Sequence, residues 1–217
     1  NYYFAEMGYR MGMDTLRKYY ADFGLGSPTG IEIGDAAGRL PSQNEGENLA
    51  PWAAFGQANQ LYTPLQLANY IATLSDGGDR YTTHLLKNVR ESGTGALEYV
   101  YDAEPVQTIA MSEENLSAVL AGMHDLATDG AVSQYFKDCI VDAAAKTGTV
   151  QTGDTKNNNG AFVCFAPYDD PQIAVAIVIE KGGTGAALAS TAVQVLNAYF
   201  SNAAANATVT GENTLLG

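Results

Sequence analysis

Residues 143–153 read "AAAKTGTVQTG" and residues 161–179 read "AFVCFAPYDDPQIAVAIVI". The second stretch holds two apolar runs, Ala161–Ala166 and Ile173–Ile179, joined by the short Pro/Asp-rich link "PYDDPQ". Runs of that length, rich in Val, Ile and Phe and separated by turn formers, predict a β-hairpin. The second run is apolar at every position from 173 to 179, so we expect it to be buried on both faces and central in a sheet. The first stretch leads into this hairpin as a further strand, followed by a polar loop from Asp154 to Gly160.

Upstream of the hairpin the period changes. Residues 2–21 predict a helix with Phe4, Met7, Gly8 and Met11 on one side and Leu16 and Tyr20 continuing the pattern, stopped by "FGLG" at 23–26. Residues 27–62 are Gly/Pro/Asn-rich and irregular, and they contain the only tryptophan, Trp52. Irregular stretches of that length are usually functional or wrap a larger domain. "TPLQLANYIATLSDGG" (63–78) carries Thr63 as N-cap, Pro64 in the first turn and Gln66 to close a capping box, with Leu67, Tyr70, Ile71 and Leu74 on one face. Residues 80–110 predict short strands with a turn at Gly93 and Gly95. A helix from Ser112 follows, with Leu116, Val119, Leu120 and Met123 as its buried face. After the hairpin, "GGTG" (182–185) precedes a last helix bearing Leu188, Ala192, Val195, Leu196 and Tyr199.

Helices first, then an antiparallel sheet closed by a C-terminal helix, is an α+β layout. We expect a mainly helical lobe over 1–135, a sheet with its C-terminal helix over 136–200, and a flexible tail over 201–217.

The chain has 217 residues, 46% of them apolar and 16% charged, which suits a globular core. Its 24 acidic residues against 11 basic ones leave a net charge of −13. That balance excludes a nucleic-acid partner and adhesion to anionic lipid, because both need a basic face. No stretch approaches the roughly 20 apolar residues of a membrane span. The chain opens on Asn1 rather than Met, so we expect a piece of a longer protein with any anchor or export signal upstream. Cys139 and Cys164 lack metal-ligand spacing. They read as two buried small hydrophobes, with a single bridge as the alternative.

Against this acidic background stands Lys146. A lysine on a strand most often guards a sheet edge from further strand addition. Three neighbours argue for more. Gly148 inside a strand is tolerated where a ligand or another backbone comes close. Thr147 and Thr149 present two hydroxyls on one face, beside the cation. With the free N–H groups of an edge strand, these form a receptor for a carboxylate and an acyl group.

"KTGT" at 146–149 with its following hairpin resembles the third signature of penicillin-binding transpeptidases and serine β-lactamases. "FGLGSPTGIEI" (23–33), "GQANQLYTPLQLANYIATLSDGG" (56–78) and "GMHDLATDGAVSQYF" (122–136) are similar, in that order, to class B penicillin-binding proteins, over roughly residues 1–200. The resemblance implies a β-lactamase/transpeptidase-like fold, incomplete at its N-terminus. It also implies serine acyl transfer on the D-Ala-D-Ala stem peptides of peptidoglycan, without metal or organic cofactor, and reaction with β-lactam antibiotics.

Of the family's signatures, Ser-x-x-Lys, Ser-x-Asn and Lys-Thr/Ser-Gly, only the third is complete. No serine from Ser27 to Ser201 is followed by a lysine three residues on. "NYYFAEMGYRMG" (1–12) resembles the segment directly after the second signature, so Asn1 takes the place of its asparagine. "SQN" at 42–44 matches by spelling alone and stands in the wrong place. We therefore expect the chain to be inactive by itself and to need the upstream part of the same protein for its nucleophile.

The implied roles are these. Lys146 carries the proton-relay and electrostatic part of the site. Thr147, Gly148 and Thr149 bind substrate, the two hydroxyls holding its carboxylate. The Thr149 N–H supplies half of an oxyanion hole, and Asn1 bonds the substrate's amide backbone. Ala145 and Ala58 replace glycines common in the family, away from the chemistry. The resemblance places the protein on the extracytoplasmic face of a bacterial membrane, with cell-division or elongation membrane proteins as further partners. A non-catalytic penicillin-recognising receptor is the alternative; a β-lactamase is disfavoured, because the "TPLQLA" helix matches transpeptidases better. His84 and His124 read as structural, and "NLS" (115–117) and "NAT" (206–208) are too short to assign glycosylation.

Overall fold

The computed structural model describes residues 1–43, 49–151 and 158–208, except the side chains of 202–208. Three antiparallel strands form its sheet: β5 (Ala144–Val150), β6 (Asn159–Ala166) and β7 (Ile173–Ile179), in that order across the sheet. Lys146 lies opposite Val163, Gly148 opposite Ala161 and Thr149 opposite Gly160. Two smaller antiparallel pairs stand apart: β1 (Asp79–Arg80) with β4 (Gln107–Thr108), and β2 (Asn88–Arg90) with β3 (Leu97–Val100), Gly95 turning between the latter two at φ 71°.

Alternation along the strands sends side chains into two cores. On one face Ala145, Phe162, Cys164 and Ala166 meet Leu188, Ala192 and Leu196, which come from a 3₁₀ turn (Gly185–Leu188) and helix α6 (Ala189–Thr208). On the other face Ala144 and Phe165 meet Ile71 and Leu74 of α3 (Pro64–Ser75) and Met123 of α4 (Glu113–Thr128). The first core also takes Ala127 and Val132, and a short helix α5 (Ser133–Phe136) crosses the boundary expected at 135/136. The helical stretch and the sheet stretch therefore share their cores. The architecture is α+β, a sheet between helices, as the resemblance implies.

The capping box of α3 is complete. Gln66 N–H donates to Thr63 Oγ1 at 3.1 Å, and Thr63 N–H donates to Gln66 Oε1 at 2.9 Å. Gln66 also reaches beyond its own helix: Nε2 donates to Ser27 O at 2.6 Å and to Ala37 O at 2.8 Å. One buried amide thus ties the irregular region back onto α3, satisfying backbone carbonyls that a loop would otherwise leave unpaired.

Several expectations need correction. β7 is not central: among the described residues it pairs only with β6. Its apolar character on both faces comes from helices above and below, because Ile173, Val175 and Ile177 enter the α6 core while Ala174 enters the α3/α4 core. Val119 is 51% exposed, and α4 buries Met123 and Ala127, with Leu116 and Leu120 packed beside the core. Val195 and Tyr199 likewise face outward on α6. That helix continues to Thr208, past Ser201 where we expected the tail to begin. Its "NAAANA" stretch is rich in alanine, the best helix former. Residues 209–217 lie outside the described residues.

The irregular region contains an unforeseen helix, α2 (Leu49–Ala54). It packs on α1 (Tyr2–Asp22), which breaks at Gly12 where φ is 76°. Leu16 of α1 with Ala50 and Ala53 of α2 makes a third, smaller core. Gly8 permits the approach, because a Cβ there would lie 2.6 Å from both Ala50 O and Ala54 Cβ. Tyr20 Oη donates to Ala53 O at 2.8 Å and fastens the pair.

Candidate active site

β5 is an edge strand, and its open side lines a cleft of about 510 Å³. Lys146, Thr147, Gly148 and Thr149 form one wall, and Asn1 lies at the start of α1. All five residues singled out in the sequence are brought together there. Trp52, Phe55, Gln57 and Gln151 complete the lining.

The backbone of β5 sets the geometry. Ala145 enters the α6-side core and Ala144 the α3/α4-side core, so alternation puts Thr147 and Thr149 on the α6 side and Lys146 and Gly148 on the other. Thr149 O accepts from Gln57 Nε2 at 2.8 Å and is therefore turned away from β6. In an antiparallel ladder the N–H and C=O of one residue share a side, so the Thr149 N–H also opens onto the cleft.

Behind the strand, Thr149 Oγ1 accepts from Gly185 N at 3.2 Å. Gly185 comes so close that a Cβ on it would sit 2.7 Å from Gly148 N. The glycine this approach requires is therefore Gly185; a Cβ on Gly148 itself would meet only Ala161, with its Cβ at 3.3 Å, so the expected reason for a glycine at 148 is not found there.

Among the described residues, Lys146 is the only charged side chain lining the cleft. Its ammonium donates to Thr147 O. Part of the side chain meets solvent, yet surrounding protein removes enough water to lower its pKa from the ordinary lysine value. Asn1 caps α1 without spending its side-chain amide on the helix. The cleft thus offers one cation of lowered pKa, a free amide, two threonine hydroxyls and an outward backbone N–H. Such a set can hold a carboxylate and stabilise an oxyanion.

The other candidates go elsewhere. His124 Nε2 lies 2.9 Å from both oxygens of Asp142 and its ring stacks on Tyr168, while His84 stacks on Tyr101. Neither lines the cleft. Both thiols are free; Cys164 is buried, which pushes its pKa up to about 12. Ser42 and Gln43 do not line the cleft, and Asn44 lies outside the described residues. No group of three or more His, Cys, Asp or Glu side chains converges among the described residues.

Sequence reading missed the aromatic and amide wall. Trp52 and Phe55 were visible only as aromatics in an irregular stretch. Gln57 stood in a segment noted for resemblance, with nothing to aim it at β5.

Residues 1–200 match the family model described as the penicillin binding protein transpeptidase domain. Penicillin-binding protein 2A of Bacillus subtilis is 33% identical over 179 residues, covering 76% of this chain and 25% of that protein. The peptidoglycan D,D-transpeptidase MrdA of Haemophilus influenzae is 29% identical over 92% of this chain and 34% of its own length. The chain thus spans a quarter to a third of these relatives. Among solved structures, penicillin-binding protein 2B of Streptococcus pneumoniae superposes with a TM-score of 0.79 at 25% identity, over 93% of this chain and 34% of that one. Penicillin-binding protein A of M. tuberculosis, solved as an imipenem acyl-enzyme, gives 0.78 at 25% identity, over 91% and 44%.

Proposed function

Because the chain belongs to the penicillin-binding protein transpeptidase domain family, we propose that its cleft is the anion-binding half of a serine acyl-transfer site that cross-links peptidoglycan. The observation that carries this is the convergence of Asn1, Lys146, Thr147 and Thr149 on one open strand edge. A relative named as a peptidoglycan D,D-transpeptidase supports the reaction class, and we assign the substrate as stem peptides ending in D-Ala-D-Ala. The imipenem acyl-enzyme of a structural neighbour supplies the second ligand class, β-lactams.

A serine hydroxyl attacks the carbonyl of the penultimate D-alanine, and the terminal D-alanine leaves as its amine, taking a proton. An acceptor amine from a second stem peptide then attacks the serine ester, forming the cross-link and regenerating the hydroxyl. Splitting the reaction through an ester makes each step easier. The Thr149 N–H faces the developing oxyanion, and the threonine hydroxyls hold the terminal carboxylate. Lys146, with its lowered pKa, passes the proton and stabilises the negative charge.

No Ser-x-x-Lys occurs in these 217 residues. We assign the nucleophile to a segment of the same protein outside them, and the 217 residues alone are inactive. The open outer edge of β7, with Val178 and Ile179 exposed, and the exposed Tyr2, Tyr3 and Phe4 supply surfaces for that segment. Stem peptides are joined outside the cytoplasmic membrane, so the site works on the extracytoplasmic face, alongside membrane proteins of wall elongation or division.

The test is intact mass after incubation with benzylpenicillin, on the protein extended through its Ser-x-x-Lys. A stoichiometric penicilloyl adduct is expected, with Lys146→Ala slowing its formation on the order of 100-fold or more. A folded domain without adduct would instead mark a non-catalytic receptor.

A further inference from the structure

β5 ends on a backbone pair that no strand accompanies among the described residues. Thr149 O and Gln151 N–H both face the open edge, on either side of Val150. Gln57 Nε2 donates to Thr149 O at 2.8 Å, and Gln57 Oε1 accepts from Gln151 N–H at 3.4 Å. One side-chain amide thus makes the donor-and-acceptor pair that a neighbouring strand would make, from a residue more than 90 positions away in sequence. Gln57 is itself fixed. Its N–H donates to Trp52 O at 2.9 Å, and Gly56 turns the chain off α2 with a φ of 82°.

We propose that Gln57 is a positioning residue, a one-residue surrogate strand that holds the Thr149–Gln151 backbone extended, so that the Thr149 N–H, on the same side of that strand, points into the cleft before substrate arrives. The role rests on the acyl-transfer reading above. On its open side the Thr149–Gln151 backbone meets the Gln57 amide and, among the described residues, no strand; Gly185 bonds only the Thr149 hydroxyl, from behind. An oxyanion donor helps only if it is aimed beforehand, and displacement by about 1 Å costs on the order of 100-fold in rate. Gln57 touches neither the substrate nor the reacting atoms in this role; it acts through the peptide it holds. α2, through Gly56, is what delivers it.

The test uses the extended protein and separates the pre-acylation Kd for benzylpenicillin from the acylation rate constant. Gln57→Ala lowers the rate constant on the order of 10-fold or more, with Kd and thermal unfolding little changed. Gln57→Glu keeps the length and the acceptor for Gln151 N–H. Its carboxylate cannot donate to Thr149 O, so it is slow at neutral pH. As pH falls through the carboxyl's range, near ~4.3, the neutral acid donates again, and the rate recovers relative to wild type at the same pH. A side chain that merely filled space would show no such recovery. Wild type acylated at a rate that both variants match or exceed would overturn this role alone. Wild type that folds and is not acylated would overturn the transpeptidase reading and this role with it.

Discussion

Lys146 shows how much one residue's setting decides. In a chain with 24 acidic side chains it stands on a cleft wall with no carboxylate among the described lining residues. A lysine beside a carboxylate would be held charged. Desolvation without such a neighbour lowers the pKa instead, so the neutral amine becomes easier to reach. Thr149 is held from two directions, by Gln57 in front and by Gly185 behind. The second contact depends on a missing side chain. A Cβ on Gly185 would press into the carbonyl oxygens of Ala161 and Gly148, which are backbone and cannot rotate away. Gly185→Ala therefore costs on the order of 3 kcal/mol in urea unfolding, and it slows benzylpenicillin acylation in whatever fraction remains folded. A stable, fully reactive Gly185→Ala would show that the turn has room to retreat.

Among the elements, α2 carries most of what the site needs beyond β5: Trp52 lies on it, and Phe55 and Gln57 follow it. It is only six residues long and is held by α1 through Leu16, Gly8 and the Tyr20 hydroxyl. Burial raises the Tyr20 phenol to about 12, against 10.0 when free. The sign follows directly: a raised folded pKa gives stability that is complete below pH ~10 and is lost as pH rises through about 12. We expect alkaline unfolding in that window. Because the chain has 13 tyrosines, several of them exposed, the measurement is the difference between wild type and Tyr20→Phe, in which one phenolate appears together with loss of helix signal. Tyr20→Phe is less sensitive there, though slightly less stable at neutral pH. A difference phenolate rising near pH ~10 with helix content intact would contradict the α1–α2 tie.

Elements with their own sequence signal were legible. α3 announces itself by Thr63, Pro64 and Gln66, and the hairpin by two apolar runs around "PYDDPQ". That Lys146, Thr147, Gly148 and Thr149 share one open strand edge was legible, because a cation, two hydroxyls and a glycine are unusual together on a strand. α2 was not, because six residues show no period and this helix draws its stability from packing on α1. β7 ends the sheet of the described residues rather than lying inside it, because an apolar run reports covered faces, not paired edges. Gln57 was missed because its partner is a backbone pair far away in the chain, which no local pattern encodes.

At the scale of the molecule, two cores on opposite faces of one sheet fix β5, and a third fixes α2 beside it. The cleft lies where these units meet, so its geometry depends on the packing of α1 and α2 as much as on the sheet. In a chain of net charge −13, the one charged side chain that lines the cleft among the described residues is a cation. That contrast favours an anionic group at the cleft. We propose that this cleft completes a transpeptidase site. The most direct test is D-alanine release from a D-Ala-D-Ala stem peptide, with an amine acceptor present, by the protein extended through its nucleophile. We predict one D-alanine released per cross-link formed, with Lys146→Ala reducing both together. A folded protein that releases no D-alanine, or whose release is untouched by Lys146→Ala, would contradict it.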